Sequence, residues 1–192
     1  MDANKQKQIL GCMNDVLGQN GFRSELIEQT EHTPLMLRAE SQRLGKVAKE
    51  ATIEACFIRC LLGNLAQKAT IEACFIPISL PDENSGLLQF FVTLFNNVPE
   101  QNQAQVEKAC RYCNDFSALG QFGFFQPAGQ IYLKHNTLVD ASLDLEKVIT
   151  FVADNISLLI ASATRFMDAF AAVGFSGLTV DVAIEQELLP KV

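Results

Sequence analysis

Cys110-Arg111-Tyr112-Cys113 has the spacing of a redox or metal-binding pair. A thioredoxin-like site needs such a pair just after a strand, at the start of a helix, where the helix dipole lowers the thiol pKa. Here the pair falls near the end of an expected helix, where the dipole acts in the opposite sense. The reading that fits is two apolar, buried thiols, since free cysteine packs as a small hydrophobe. A zinc site built from Cys56, Cys60, Cys110 and Cys113 would need helical i,i+4 and i,i+3 pairs, which are not the usual zinc knuckles. His32 and His135 are the only histidines. His135 falls on an expected strand, His32 in a turn between Glu31 and Thr33, and neither has a Ser or Cys beside it in the manner of a triad. Asp140, Asp144, Glu146, Asp181, Glu185 and Glu187 read as helix-start charges and solvated faces. Gly120-Gln121-Phe122-Gly123 lacks the third glycine and the helix start of a phosphate cradle. No catalytic residue, cofactor or metal ligand is therefore expected, and the chain reads as a non-enzyme.

Composition narrows the partners. The 192 residues carry 15 Lys and Arg against 22 Asp and Glu, for a net charge of −7, with the basic residues scattered along the chain. That disfavours nucleic acid, which needs clustered cations, and an anionic membrane surface. Apolar residues make up 48%, enough for a core without disulfides or metal, while charged residues are only 19%. A surface with that little charge often finds a protein partner. The N-terminus from Met1 to Gln8 is polar, so no signal peptide is expected. The most apolar window, Ile156 to Phe170, is interrupted by Arg165 and Asp168 and reads as too short and too charged to span a bilayer. Six cysteines without a secretory signal fit a reducing cytoplasm.

The elements that must position these residues run as follows. Ile9, Leu10, Met13, Val16 and Leu17 share one face of a helix over 4–17, ended by Gly18 and Gly21. Short strands are expected near 24–29 and 35–39. The octapeptide Ala51-Thr52-Ile53-Glu54-Ala55-Cys56-Phe57-Ile58 then recurs identically from Ala69 to Ile76. Two copies do not make a repeat array; a small tandem duplication is the simpler origin, a switch segment the bolder one. The first copy sits among helix formers, with Val47, Ala51, Ala55, Ile58, Leu62 and Leu65 at helical spacing, although a strand remains possible there. The second runs into Pro77 and Pro81 and is expected to be a strand.

Leu87 to Phe95 reads as a strand apolar on both faces, with Leu88, Phe90, Val92 and Leu94 one way and Leu87, Gln89, Phe91, Thr93 and Phe95 the other. Asn97-Val98-Pro99-Glu100 looks like a helix start, with Asn97 as the cap and Glu100 closing a capping box. The helix after it carries an apolar stripe of Val106, Ala109, Cys110, Cys113 and Phe116. Gln121–Gln126 and Gln130–Asn136 form a hairpin through Pro127-Ala128-Gly129, with Phe122, Phe124, Ile131 and Leu133 inward and Phe125 and Tyr132 outward. Ser142 is expected to cap a long amphipathic helix that Gly174 stops. The tail, with apolar residues at Leu178, Val180, Val182 and Ile184, would be an edge strand, a docking helix or a ligand for a neighbouring subunit.

This order of elements, with Asn97-Val98-Pro99-Glu100 before a helix and the hairpin Gly120–Phe125/Gln130–Lys134 before a long helix, resembles the fold of class I type III secretion chaperones and of the YbjN family of bacterial sensory transduction regulators. The resemblance covers about residues 4 to 170. It implies an α+β fold: N-terminal helix, antiparallel β-meander, helix, β-hairpin, and a long C-terminal helix packed on one face of the sheet. The chain departs from that pattern in a duplicated-octapeptide insertion near 46–68 and in a tail over 174–192, so a single domain is expected over 1–173. The resemblance also implies a bacterial cytoplasmic homodimer that binds a polypeptide and has no catalytic residues. Leu87, Phe91, Phe95, Phe125 and Tyr132 are the expected dimer or partner surface, because the core helices would not cover them. The competing reading is a sensory regulator with a small-molecule pocket between the sheet and the long helix.

Overall fold

A computed structural model describes residues 1–42 and 68–191 of the chain. The first octapeptide copy and its expected helix lie outside the described residues. The elements are α1 (Ala3–Gln19), β1 (Arg23–Ile27), β2 (Met36–Gln42), β3 (Lys68–Ile76), β4 (Ser85–Phe95), α2 (Glu100–Asn114), β5 (Gln121–Phe125), β6 (Gln130–Asp140), α3 (Leu145–Phe175) and α4 (Val180–Glu185). The six strands form one antiparallel sheet in the order β1-β2-β3-β4-β6-β5. The fold is α+β, as the periodicities imply. The second octapeptide copy is β3, in the middle of the sheet, as its prolines and neighbours predict.

The sheet's core face is set by period-2 alternation. Ala69, Ile71, Ala73 and Phe75 of β3 are buried, as are Leu88, Phe90, Val92 and Leu94 of β4 and Ile131 and Leu133 of β6. α1 packs over β1–β3, α3 over β4 and β6, and α2 beside β5 and α3. Ile9, Leu10 and Met13 of α1 are fully buried, as are Phe166, Met167 and Phe170 of α3. Phe122 of β5 meets Phe166 edge-on at 5.4 Å and Phe170 at 5.1 Å between ring centroids. Such aromatic pairs are favourable beyond the area they bury. α3 is long and apolar enough to cross a membrane by length and composition, against the expectation for its apolar window, but 67% of its most apolar stretch is buried inside the protein. That is the signature of a core helix.

Several local expectations change. Asp144, not Ser142, precedes the first turn of α3. Ser142 instead donates from its backbone N–H and its Oγ to Asp140 Oδ1, at 2.8 and 2.6 Å, closing a turn after β6. The helix runs through Gly174 to Phe175: Gly174 is buried in ordinary contact with Val98, Val106 and Ile131, and the left-handed glycine comes later, at Gly177 with φ 72°. Asn97 does not cap α2; its backbone is left-handed at φ 60° and its N–H donates to the Ala128 carbonyl. The capping position falls to Pro99, with no side-chain cap bond. Of the readings of the tail, the docking helix is the one found: α4 docks on α2 and α3, with Val180, Ala183 and Leu189 buried. Lys108 reaches Asp181 at 2.9 Å, and the Tyr112 hydroxyl donates to the Pro190 carbonyl.

Candidate protein-binding surface

Among the described residues, all helices lie on one face of the sheet, and the other face has no covering element. Strand register places its side chains in rows. One row runs Glu25, Arg38, Glu72, Phe91, Lys134 and Gln121 across β1, β2, β3, β4, β6 and β5. A second contains Thr70, Thr93, Tyr132 and Gly123, and a third contains Ile76, Leu87 and Leu138. The β1–β3 end is charged: Arg38 donates from Nε and Nη2 to Glu72 Oε1 at 2.9 and 2.8 Å and lies 3.7 Å from Glu25. The β4–β6 end is mixed: Leu87 and Leu138 pair, Phe91 lies beside Tyr132 and Lys134, and Gln89 and Asn136 fall between them. Phe91 and Tyr132 stack with centroids 4.8 Å apart and planes 22° apart. The Tyr132 ring lies flat across Gly123, where an added Cβ would sit 2.4 Å from it. Gly123 is thus the gap in β5 that its cross-strand aromatic neighbour fills.

Of the five residues expected on this surface, Leu87, Phe91 and Tyr132 are half-buried on the open face, and Phe125 is 53% exposed at the end of β5. Phe95 is elsewhere. It is 4% exposed and its ring packs 5.4 Å from that of Phe175, on the helix side. The cause is a β-bulge: β4 pairs Thr93 with Tyr132 and then Phe95 with Ile131, leaving Leu94 as the extra residue. One extra residue reverses the alternation after it, so Leu94 and Phe95 both face inward. Leu138, 60% exposed in the row of Leu87, was missed. Counting alternate residues along β6 from Tyr132 would have found it.

The residues that could do chemistry are held in structural roles. Cys110 and Cys113 are buried on the inner stripe of α2. Burial, with Glu107 nearby, pushes the Cys110 thiol up to about 12. Burial and the neighbouring Cys110 push Cys113 up as well, against an opposing pull from Arg165. Neither is a poised nucleophile. Cys74 sits half-buried on the open face with its thiol pKa raised, by burial first and then by Glu72. His135 faces α3, where its Nε2 lies 3.1 Å from Asn155 Oδ1 and its ring stacks on Phe90. His32 is exposed in the Thr30–Thr33 turn. Asp181 and Glu187 pair with Lys108 and Lys191.

Two sheet edges bear on strand addition. β5 pairs with β6 only over Gln130–Lys134, so on that side β6 continues from His135 to Asp140 with no strand beside it among the described residues. A polar cleft of about 620 Å³, lined by Ser117–Phe122 and by Tyr132, Lys134, His135 and Asn136, opens where β5 ends. The outer edge of β5 is differently disposed. The Phe122 N–H donates to Asn114 Oδ1 at 2.6 Å, and Asn114 Nδ2 donates to the Phe122 carbonyl at 3.0 Å. A side-chain amide at the end of α2 thus stands in for the next strand and blocks that edge.

No family model matches the chain, and no curated protein matches it. Among solved structures it is similar to the crystal structure of the ExsC–ExsE complex, at 16% sequence identity and a TM-score of 0.36, over 87% of this chain and 95% of that one.

Proposed function

We propose that this chain is a non-enzymatic protein-binding module, chaperone-like or regulatory, which acts in the bacterial cytoplasm as a homodimer and takes a polypeptide partner on its open sheet surface or edge. The observation that carries the reading is the one-sided helix layer. Among the described residues it leaves Leu87, Phe91, Tyr132 and the 60% exposed Leu138 on a sheet face without a covering helix. Exposed apolar and aromatic side chains on an open sheet face, here in two groups either side of Gln89 and Asn136, mark an interaction site, and a two-fold contact is the commonest way to close one. The unpaired stretch His135–Asp140 supplies backbone donors and acceptors to an extended peptide. Kinship with type III secretion chaperones and the YbjN regulators belongs to the same proposal, as does the division into a domain over 1–173 and a tail. Free thiols at Cys12, Cys74, Cys110 and Cys113 agree with a reducing compartment.

The sensory-regulator reading requires an apolar pocket between the sheet and the long helix. That space is filled by Phe90, Phe166 and Phe170, all fully buried, so the reading ranks second. Native mass spectrometry of the protein from its host tests both. A dimer that carries a polypeptide is expected, and Phe91→Asp, which sets a carboxylate on the open face, is expected to lose the dimer. A monomer with nothing bound overturns the proposal, and a bound small molecule transfers the case to the sensor.

A further inference from the structure

We infer that the open face is closed by a second copy of this chain, laid face to face about a two-fold axis running along β4. This rests on the dimer proposed above and specifies which residues meet. The geometry follows from strand order. An axis along β4 exchanges the strands on either side of it, so β3 of one copy lies over β6 of the other. Glu72, Phe91 and Lys134 share one row, and Ile76, Leu87 and Leu138 share another. The operation therefore sets Glu72 of each copy against Lys134 of the other, and Ile76 against Leu138 of the other. Phe91 and Leu87, on the axis, meet their own counterparts. Charge meets opposite charge twice, Arg38 meets the neutral Gln121 of the other copy, and the row of Ile76, Leu87 and Leu138 is apolar throughout.

Neighbouring axes fail on charge. An axis along β3 places Glu72 against itself, and one along β6 places Lys134 against itself, since each strand carries its charge in the same row. Like charges set directly opposite one another in an interface are strongly disfavoured. Strands about 4.8 Å apart, rising about 3.3 Å per residue, give the five strands β2–β6 a projected face of roughly 24 by 23 Å, or about 550 Å². Side-chain relief makes the accessible area larger than the projection, within reach of the ~800 Å² per partner of a specific interface. Packed sheets cross at about 30°, which spoils register at the sheet corners first and least on the strands flanking the axis. Glu72 and Lys134 are on those strands. Glu72 remains accessible to a second cation, because both Arg38 hydrogen bonds land on its Oε1.

Sedimentation velocity on the full chain tests the arrangement. The wild type sediments as a dimer. Lys134→Glu opposes Glu72 of the other copy at two places and weakens the dimer at least tenfold. Glu72→Lys does the same, and an equimolar mixture of the two variants restores a heterodimer, because every cross-copy pair is again of opposite sign. If Glu72→Lys does not fold, a zero-length carbodiimide link between Glu72 and Lys134 that joins isotope-labelled to unlabelled copies replaces it. A wild-type monomer at all concentrations overturns both this inference and the dimer on which it rests. A dimer indifferent to Lys134→Glu, with no mixed cross-link, overturns the axis and leaves the dimer standing.

Discussion

Asn114 offers the most exacting check on how β5 is held. It is the last residue of α2, and its amide makes two hydrogen bonds to the backbone of Phe122, at 2.6 and 3.0 Å. An Asn114→Ala substitution removes both. Each bond contributes about 0.5–1.5 kcal/mol net, so the pair contributes about 1–3 kcal/mol. Phe122's backbone lies at a sheet edge, where water can replace the lost partner in part, so a loss near the lower half, about 1–2 kcal/mol, is expected. For a chain of this size that lowers Tm by roughly 2–4 °C per kcal/mol. Urea denaturation should give the free-energy change with an unchanged m-value, and hydrogen exchange should show the Phe122 amide losing protection while Leu133 keeps its own. The unblocked edge should also raise aggregation on warming. A stability change below about 0.5 kcal/mol, or a Phe122 amide that exchanges as in the wild type, would refute the claim that this side chain replaces a strand.

Three further outcomes follow from other contacts. The Cys110 thiol is raised from its ordinary value of 9.0 to about 12, so the folded state favours the neutral thiol. The stability this contributes is fully present below pH 9 and is lost as pH rises towards 12. Alkaline urea titrations of wild type and Cys110→Val should therefore diverge over that window, and parallel curves would count against a buried thiol. Gly123→Ala must displace the Tyr132 ring from Phe91, losing about 0.5–1.5 kcal/mol of stacking against a gain of about 0.5–1 kcal/mol from replacing glycine in a strand. Stability should hardly change, while the near-ultraviolet circular dichroism of Tyr132, read in a Tyr112→Phe background, should collapse; the chain has two tyrosines and no tryptophan. Phe95→Ala should cost about 3–5 kcal/mol in thermal or urea unfolding, as a buried phenyl does. Phe125→Ala, more than half exposed, should cost under about 1 kcal/mol.

The contrast between those two phenylalanines marks where sequence reading stopped. Strands, helices and the hairpin were legible because their hydrophobic periods are long and their punctuation is strong. Pro127-Ala128-Gly129 became a single 3-10 turn ending on Gly129 at φ 55°, packed so close to Val98 that a Cβ would lie 2.7 Å from its nitrogen. The bulge was not legible, since Thr93, Leu94 and Phe95 carry no glycine or proline and their alternation looks regular on paper. Only the pairing with β6 reveals the extra residue, and pairing is non-local. The same limit applies to Asn97: its residue type suits both an N-cap and a left-handed backbone, and the contact with Ala128 decides between them. Leu87 and Phe91 lie on the open face because they precede the bulge and keep its parity. The charges on which the proposed pairing rests, Glu72 and Lys134, come from different strands and acquire meaning only once those strands flank β4.

The docked tail has a practical corollary for handling this protein. Leu189 is buried, and the carbonyl of Pro190 is held by Tyr112 of α2, so Lys191 leaves from the helical side of the molecule. An affinity handle or fluorophore fused after that point would project away from the uncovered strands. Sensor-chip or bead attachment through that end should therefore leave the β-surface free to pair with a second copy, whereas a handle grafted near Leu138 would block it.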